Sequence, residues 1–100
     1  MFPLITSATL LMSVSAAQAS ETLAEDSGCL GCHSVSDKVV GPAFVDVAAK
    51  YKGQKGAPAQ LLQQVRKGST GVWGKVAMPA NKKVSDKDLK KIIAWILAQQ

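Results

Sequence analysis

Cys29-Leu30-Gly31-Cys32-His33 is the stretch on which the reading of this chain turns. Two cysteines three apart, with a histidine directly after the second, is the attachment signature of a c-type haem. Each thiol can add to one vinyl group of a porphyrin, and the double tether brings the His33 imidazole under the iron. Other readings of the five residues fit less well. A structural zinc site needs four Cys, His or carboxylate ligands, and the chain holds two cysteines and one histidine in all. A thioredoxin-like dithiol belongs beside a strand–helix–strand pattern, and no strand pattern is legible. A disulfide would enclose only Leu30 and Gly31, where loop closure stabilises least. As an ordinary core residue, His33 would stand where the motif needs it by accident.

Outward from the motif, the first residues differ from the rest. Positions 1–19 carry no charged side chain, have an apolar run around Leu10-Leu11-Met12, and close on Ala17-Gln18-Ala19, a small-x-small pattern suited to a signal peptidase. The expectation is an export signal over 1–19, cleaved after Ala19, and one domain over 20–100. No Lys or Arg precedes the apolar run. An uncleaved anchor is the competing reading, but the run is short and interrupted by Ser and Thr, and a spanning helix needs ~20 mostly apolar residues. All 12 basic and all 7 acidic residues fall after position 19, so the mature chain keeps the net charge of +5. A domain this small buries a modest core and usually needs a staple or a cofactor. A covalent porphyrin would supply an apolar centre and use both cysteines.

Four helical segments separated by Gly- and Pro-marked loops account for the mature pattern. The first, roughly 21–32, begins with acidic residues that suit a helix N-terminus and delivers the haem motif. The second follows Gly41-Pro42, with Phe44, Val47, Ala48 and Tyr51 spaced along one face. The third runs from about Pro58 to Lys67, with Leu61, Leu62 and Val65 as its buried stripe and Gly68 as its stop. The fourth has Ser85 as N-cap, Asp86 and Asp88 in its first turn, and an apolar face of Leu89, Ile92, Ile93, Ile96 and Leu97. Trp95, at the edge of that face, is read as helix–helix packing. Residues 69–84 show no period, yet hold Trp73 and Met78. An irregular loop this long in so small a domain is usually functional, and this one is expected to fold over the haem.

Met1 and Met12 lie in the expected signal, which leaves Met78 as the only methionine of the mature chain. A second protein ligand to the iron would be the Met78 thioether, a lysine amine or an oxygen donor. Met/His ligation belongs to electron-transfer cytochromes and raises the reduction potential. Pro79 restricts the Met78 backbone toward extended conformations. The plainer alternative makes Met78 a flexible core filler.

Cys29 to His33, Val40-Gly41-Pro42-Ala43, Gly68-Ser69, Gly71-Val72-Trp73-Gly74 and Met78-Pro79 together resemble a short-chain bacterial class I cytochrome c. The resemblance covers essentially the whole mature chain in order and spacing. It implies an all-α cytochrome c fold, with about four short helices packed around one haem c attached through Cys29 and Cys32. By the same resemblance, His33 is the proximal ligand and Met78 the distal one. The Pro42 carbonyl would accept a hydrogen bond from the other His33 nitrogen. Trp73 would donate its indole N–H to a haem propionate, and the Asn81 amide would steady Met78. Two positions depart from the family. Gln64 stands where a basic residue usually pairs with a propionate, and the nearest arginine, Arg66, is two residues on and faces elsewhere. Ala80 stands where a second proline commonly follows Met-Pro.

The function implied is that of a soluble periplasmic carrier of single electrons, not an enzyme. Its partners would be redox proteins, such as a periplasmic reductase, a terminal oxidase or a donor cytochrome complex. Lys38, Lys50, Lys52, Lys55, Lys67, Lys75, Lys82 and Lys83 would steer encounters with acidic surfaces, and the protein is read as a monomer. No basic recognition element points to nucleic acid, and the mature chain has no segment for stable membrane insertion. The alternative is an open-site haem sensor or peroxidase-like enzyme in which Met78 is not a ligand. Such chemistry normally needs a nearby acid–base residue, and the chain has no second histidine. A haem-free dithiol oxidoreductase would leave His33, Trp73 and Met78 unexplained.

Overall fold

The computed structural model describes residues 2–10 and 15–100. Within them the chain forms four helices, α1 (Ala16–Asp26), α2 (Phe44–Tyr51), α3 (Ala57–Lys67) and α4 (Asp86–Leu97), and a 3₁₀ turn at Cys29–Gly31. The described residues contain no strand, only one isolated antiparallel bridge between Ser69 and Met78. Of the expected export signal, Met1, Leu11 and Met12 lie outside the described residues. None of the described helices is long and apolar enough to cross a membrane.

The last helix organises the others. Ser85 Oγ accepts the Asp88 N–H at 3.1 Å, and Asp86 and Asp88 place negative charge at the positive end of the helix dipole. Leu89, Ile92 and Ile93 then project a fully buried stripe, and α4 packs against α1, α2 and α3 alike. On one side Leu89 and Ile93 join Val47, Tyr51, Ala57 and Leu61 of α2 and α3. On the other, Ile92 and Trp95 join Ala24 of α1 and Phe44 of α2. Trp95 is a packing residue, with its ring edge-on to Phe44 at 5.5 Å between centroids. Such pairs contribute roughly 0.5–1.5 kcal/mol beyond the area they bury.

Helices α2 and α3 lie close to the expected boundaries, and Phe44, Val47, Ala48 and Tyr51 are all buried. Pro58 falls in the first turn of α3, where its missing N–H costs no helical bond.

The first helix departs from expectation at both ends. It begins at Ala16 instead of Glu21, with Ser15 Oγ accepting the Gln18 N–H at 3.3 Å. The expected cleavage position therefore lies inside α1, and no acidic residue occupies the first turn. The helix ends at Asp26 instead of Cys32. Gly28 takes a left-handed conformation with φ of 84°, which breaks the α-helical path. Acidic residues at 21 and 25 marked the exposed side of a helix already under way, not its start.

Candidate haem-binding site

The 3₁₀ turn after Gly28 presents the two thiols and carries the chain into His33. Cys29 is half-buried against Ala24 and its neighbours, and Cys32 is exposed. Burial pushes the Cys29 thiol up, against an opposing pull from a backbone hydrogen bond. The following segment is tied to α2 through two of the orphan amides at that helix's start. Phe44 N–H donates to Ser34 O at 2.9 Å and Val45 N–H to Val35 O at 3.0 Å.

Three contacts fix the His33 ring. Nδ1 lies 2.8 Å from the Pro42 carbonyl oxygen. That acceptor makes Nδ1 the protonated nitrogen and leaves Nε2 with a free lone pair. Phe44 stacks on the ring at 5.0 Å between centroids, 21° from parallel. Gly41 comes so close from a third side that a Cβ there would sit 2.5 Å from Cε1 and 2.8 Å from Nδ1. Phe44 was read only as part of a helix face, and Gly41 only as part of the 40–43 stretch. Their roles depend on a fold-back that brings Gly41 N–H within 2.7 Å of the Cys32 carbonyl.

His33, Cys29 and Cys32 open onto a cleft of about 600 Å³, lined by α2, α3, α4 and the loop after α3. Met78, Pro42 and Trp73 line the same cleft, so all the sequence-nominated site residues but Asn81 are brought to it. Its deeper wall is aliphatic, with Leu61, Leu89, Ile92 and Ile93 among its residues. Val39, Val40, Val72 and Val76 leave apolar surface exposed near its mouth. Trp73 is partly exposed, with the Lys50 ammonium 5.2 Å from its ring centroid, within cation–π range.

The Met78 loop is pinned at both ends. Met78 and Ser69 exchange backbone hydrogen bonds, 2.8 Å from the Met78 N–H and 3.0 Å back to its carbonyl. Gly68 makes this approach possible, because a Cβ on it would lie 2.6 Å from the Met78 oxygen. Three residues later, the Asn81 amide nitrogen donates to Ser27 O at 3.1 Å, and its Oδ1 accepts the Lys83 and Val84 N–H groups. The Asn81 side chain thus joins the end of α1 to the approach to α4. Gln64 lines the cleft and donates to the Tyr51 hydroxyl at 3.3 Å. Arg66 points away to Asp86, whose carboxyl it holds below the ordinary aspartate value through a hydrogen bond and its charge.

Two thiols and an imidazole at one cleft wall, a thioether in the same lining, and a largely aliphatic interior suit a covalently tethered porphyrin. The relatives agree. A family model described as cytochrome C oxidase, cbb3-type, subunit III matches residues 15–96. Cytochrome c-551 of Pseudomonas aeruginosa is 44% identical over 97 residues, which are 97% of this chain and 92% of that protein. The chain belongs to the class I monohaem cytochrome c family. Cytochrome c-552 of Nitrosomonas europaea is 46% identical over 90 residues, 90% of this chain and 87% of that one. The crystal structure of wild-type Nitrosomonas europaea cytochrome c552 matches with a TM-score of 0.77 at 45% identity, covering 80% of this cytochrome and all but 1% of its own chain. The fold is accordingly the all-α cytochrome c fold. Membership implies a covalently bound c-type haem, and Cys29 and Cys32 are present to carry it. The relatives are named cytochrome c-551, cytochrome c-552 and cytochrome c2, and this cytochrome falls among them.

Proposed function

We propose that this cytochrome carries single electrons between redox proteins of the periplasm, on one haem c ligated by His33 and Met78. The observation that carries the reading is the cleft itself. Its lining joins the Cys29–His33 motif to the only methionine that follows the expected signal, 45 positions downstream. When bound, the haem supplies a one-electron couple between ferric and ferrous iron, and a thioether ligand raises its potential.

The chain's own residues hold that site still. Pro42 and Phe44 fix the ring that would present Nε2 to the iron, and the Ser69 bridge fixes the backbone that carries Met78. The aliphatic wall excludes water. Trp73, in the cleft lining, would offer its indole N–H to a propionate. With no second histidine in the chain, no imidazole remains for acid–base chemistry beside the iron, which favours a carrier over an enzyme.

An export signal over 1–19, removed after Ala19, fits the crystal relative, which accounts for nearly its whole length with 80% of this chain. The mature protein would act as a monomer. The lysines named from the sequence are all exposed, and Lys38 and Lys75 line the cleft. A positive rim there would steer an acidic redox partner to the haem edge, so electron transfer to such a partner slows as ionic strength rises.

Visible spectra of the holoprotein test the ligation. A low-spin, six-coordinate haem is expected in both oxidation states, and Met78→Ala should lower the potential and admit carbon monoxide to the ferrous form. A high-spin ferric spectrum of the unaltered protein, or its ready binding of carbon monoxide, would overturn the carrier reading.

A further inference from the structure

Asn81 is the point where three helices meet the Met78 loop. Its backbone is gripped on both sides by adjacent residues of α3. The Asn81 N–H donates to Val65 O at 2.8 Å, and its carbonyl accepts from Arg66 Nη1 at 3.2 Å. Arg66 also donates to Asp86 Oδ1 through Nη2 at 2.6 Å and through Nε at 3.2 Å. One guanidinium therefore ties the last turn of α3 to the loop and to the first residue of α4. The Arg66 side chain is about four-fifths buried while Asp86 is largely exposed.

An exposed ion pair alone would contribute little. Here the cation is mostly removed from solvent and also satisfies a backbone carbonyl, so its removal frees the start of α4 and leaves Asn81 on its N–H bond to Val65 and its amide bond to Ser27 alone. Three peptide units separate Met78 from Asn81, a reach of at most ~11 Å. Loosening Asn81 would shift more of the hold on Met78 onto the Ser69 bridge.

We propose that Arg66 is a positioning residue for Met78, latching the downstream end of its loop by gripping the Asn81 carbonyl and the Asp86 carboxylate together. This rests on the reading of Met78 as the distal ligand. It also gives the arginine a place after its absence from position 64. The charge near the end of α3 serves the ligand loop.

The test uses holoprotein titrated with imidazole, which must displace Met78 to reach ferric iron. Arg66→Gln should raise the apparent imidazole affinity roughly tenfold, or about 1.4 kcal/mol, with Arg66→Lys intermediate. Asp86→Asn should act in the same direction, and the double variant should add little to the larger single effect, because both break one latch. If Arg66→Gln yields no holoprotein, Asp86→Asn carries the test alone. Leu97→Ala, which loosens the core at the far end of α4, serves as a control that lowers Tm without raising imidazole affinity. An unchanged imidazole affinity in Arg66→Gln, or an equal rise in Leu97→Ala at matched loss of Tm, overturns the latch. A Met78→Ala holoprotein with unaltered ferric spectrum and potential overturns the ligand assignment beneath it.

Discussion

Gly41 shows how closely a single residue can govern this site. Its φ is not in the left-handed region, so the demand for glycine is purely steric and comes from the His33 ring 2.5–3.0 Å from where a Cβ would stand. Gly41→Ala must push the imidazole away from Pro42 or move the backbone that carries both. We expect it to cut the yield of haem-bearing protein severalfold, read from covalent haem per mole of purified chain. Gly31→Ala, inside the attachment motif itself, meets nothing within 4 Å and should leave that yield nearly unchanged. The contrast runs against motif thinking, since the tolerant glycine is the one between the cysteines. Cys29, Cys32 and His33 were legible because attachment chemistry fixes their spacing along the chain. Met78 was legible by elimination. Gly41 was marked only as part of the 40–43 stretch, and Phe44 and Arg66 not at all as site residues, because each acts across a fold-back or between helices that no local spacing records. Asn81 was nominated for steadying Met78 through its amide; the amide nitrogen is hydrogen-bonded to Ser27, and the backbone of Asn81 to Val65 and Arg66.

At the scale of helices, periodicity worked where an amphipathic face met a clear stop. The faces of α2 and α4 emerged as expected, and α3 ends at Gly68, whose φ of +78° an L side chain rarely adopts. In the full chain the first helix starts at Ala16 on a Ser15 cap and so reaches back into the expected signal, ahead of the acids read as its start. Gly28 then stops it before the motif, so the thiols sit on a tighter turn. Helix α4 offers the cleanest measurement. Replacing the Ser85 cap by alanine leaves the Asp88 N–H without its acceptor and should cost ~1 kcal/mol. In a domain of this size that is a fall in Tm of about 4–8 °C. The potential should barely move, because Ser85 lies outside the cleft lining.

The whole molecule is built around a space of about 600 Å³. Both buried clusters border it, through Leu61, Leu89 and Ile93 in one and Phe44 and Ile92 in the other. Without a porphyrin these side chains would line an apolar void, and core cavities destabilise by ~24 cal/mol per Å³. At that rate a void of this size would cost roughly 14 kcal/mol, about as much as the entire stability, about 5–15 kcal/mol, of a typical domain. Cys29→Ser with Cys32→Ser should therefore produce a chain with little helical circular dichroism. A folded, helical double variant would mean that the helices close the space by themselves.

The helix against which the others pack comes after all of them in the chain. Until Asp86–Leu97 have been synthesised, neither buried cluster can close, however much of the chain already exists. A polypeptide threading a narrow pore therefore stays open along its length, with Cys29 and Cys32 reachable, until the residues of α4 follow. The order of elements thus leaves both thiols reachable at least until α4 is present to complete the two clusters, and the porphyrin would then close the space between them.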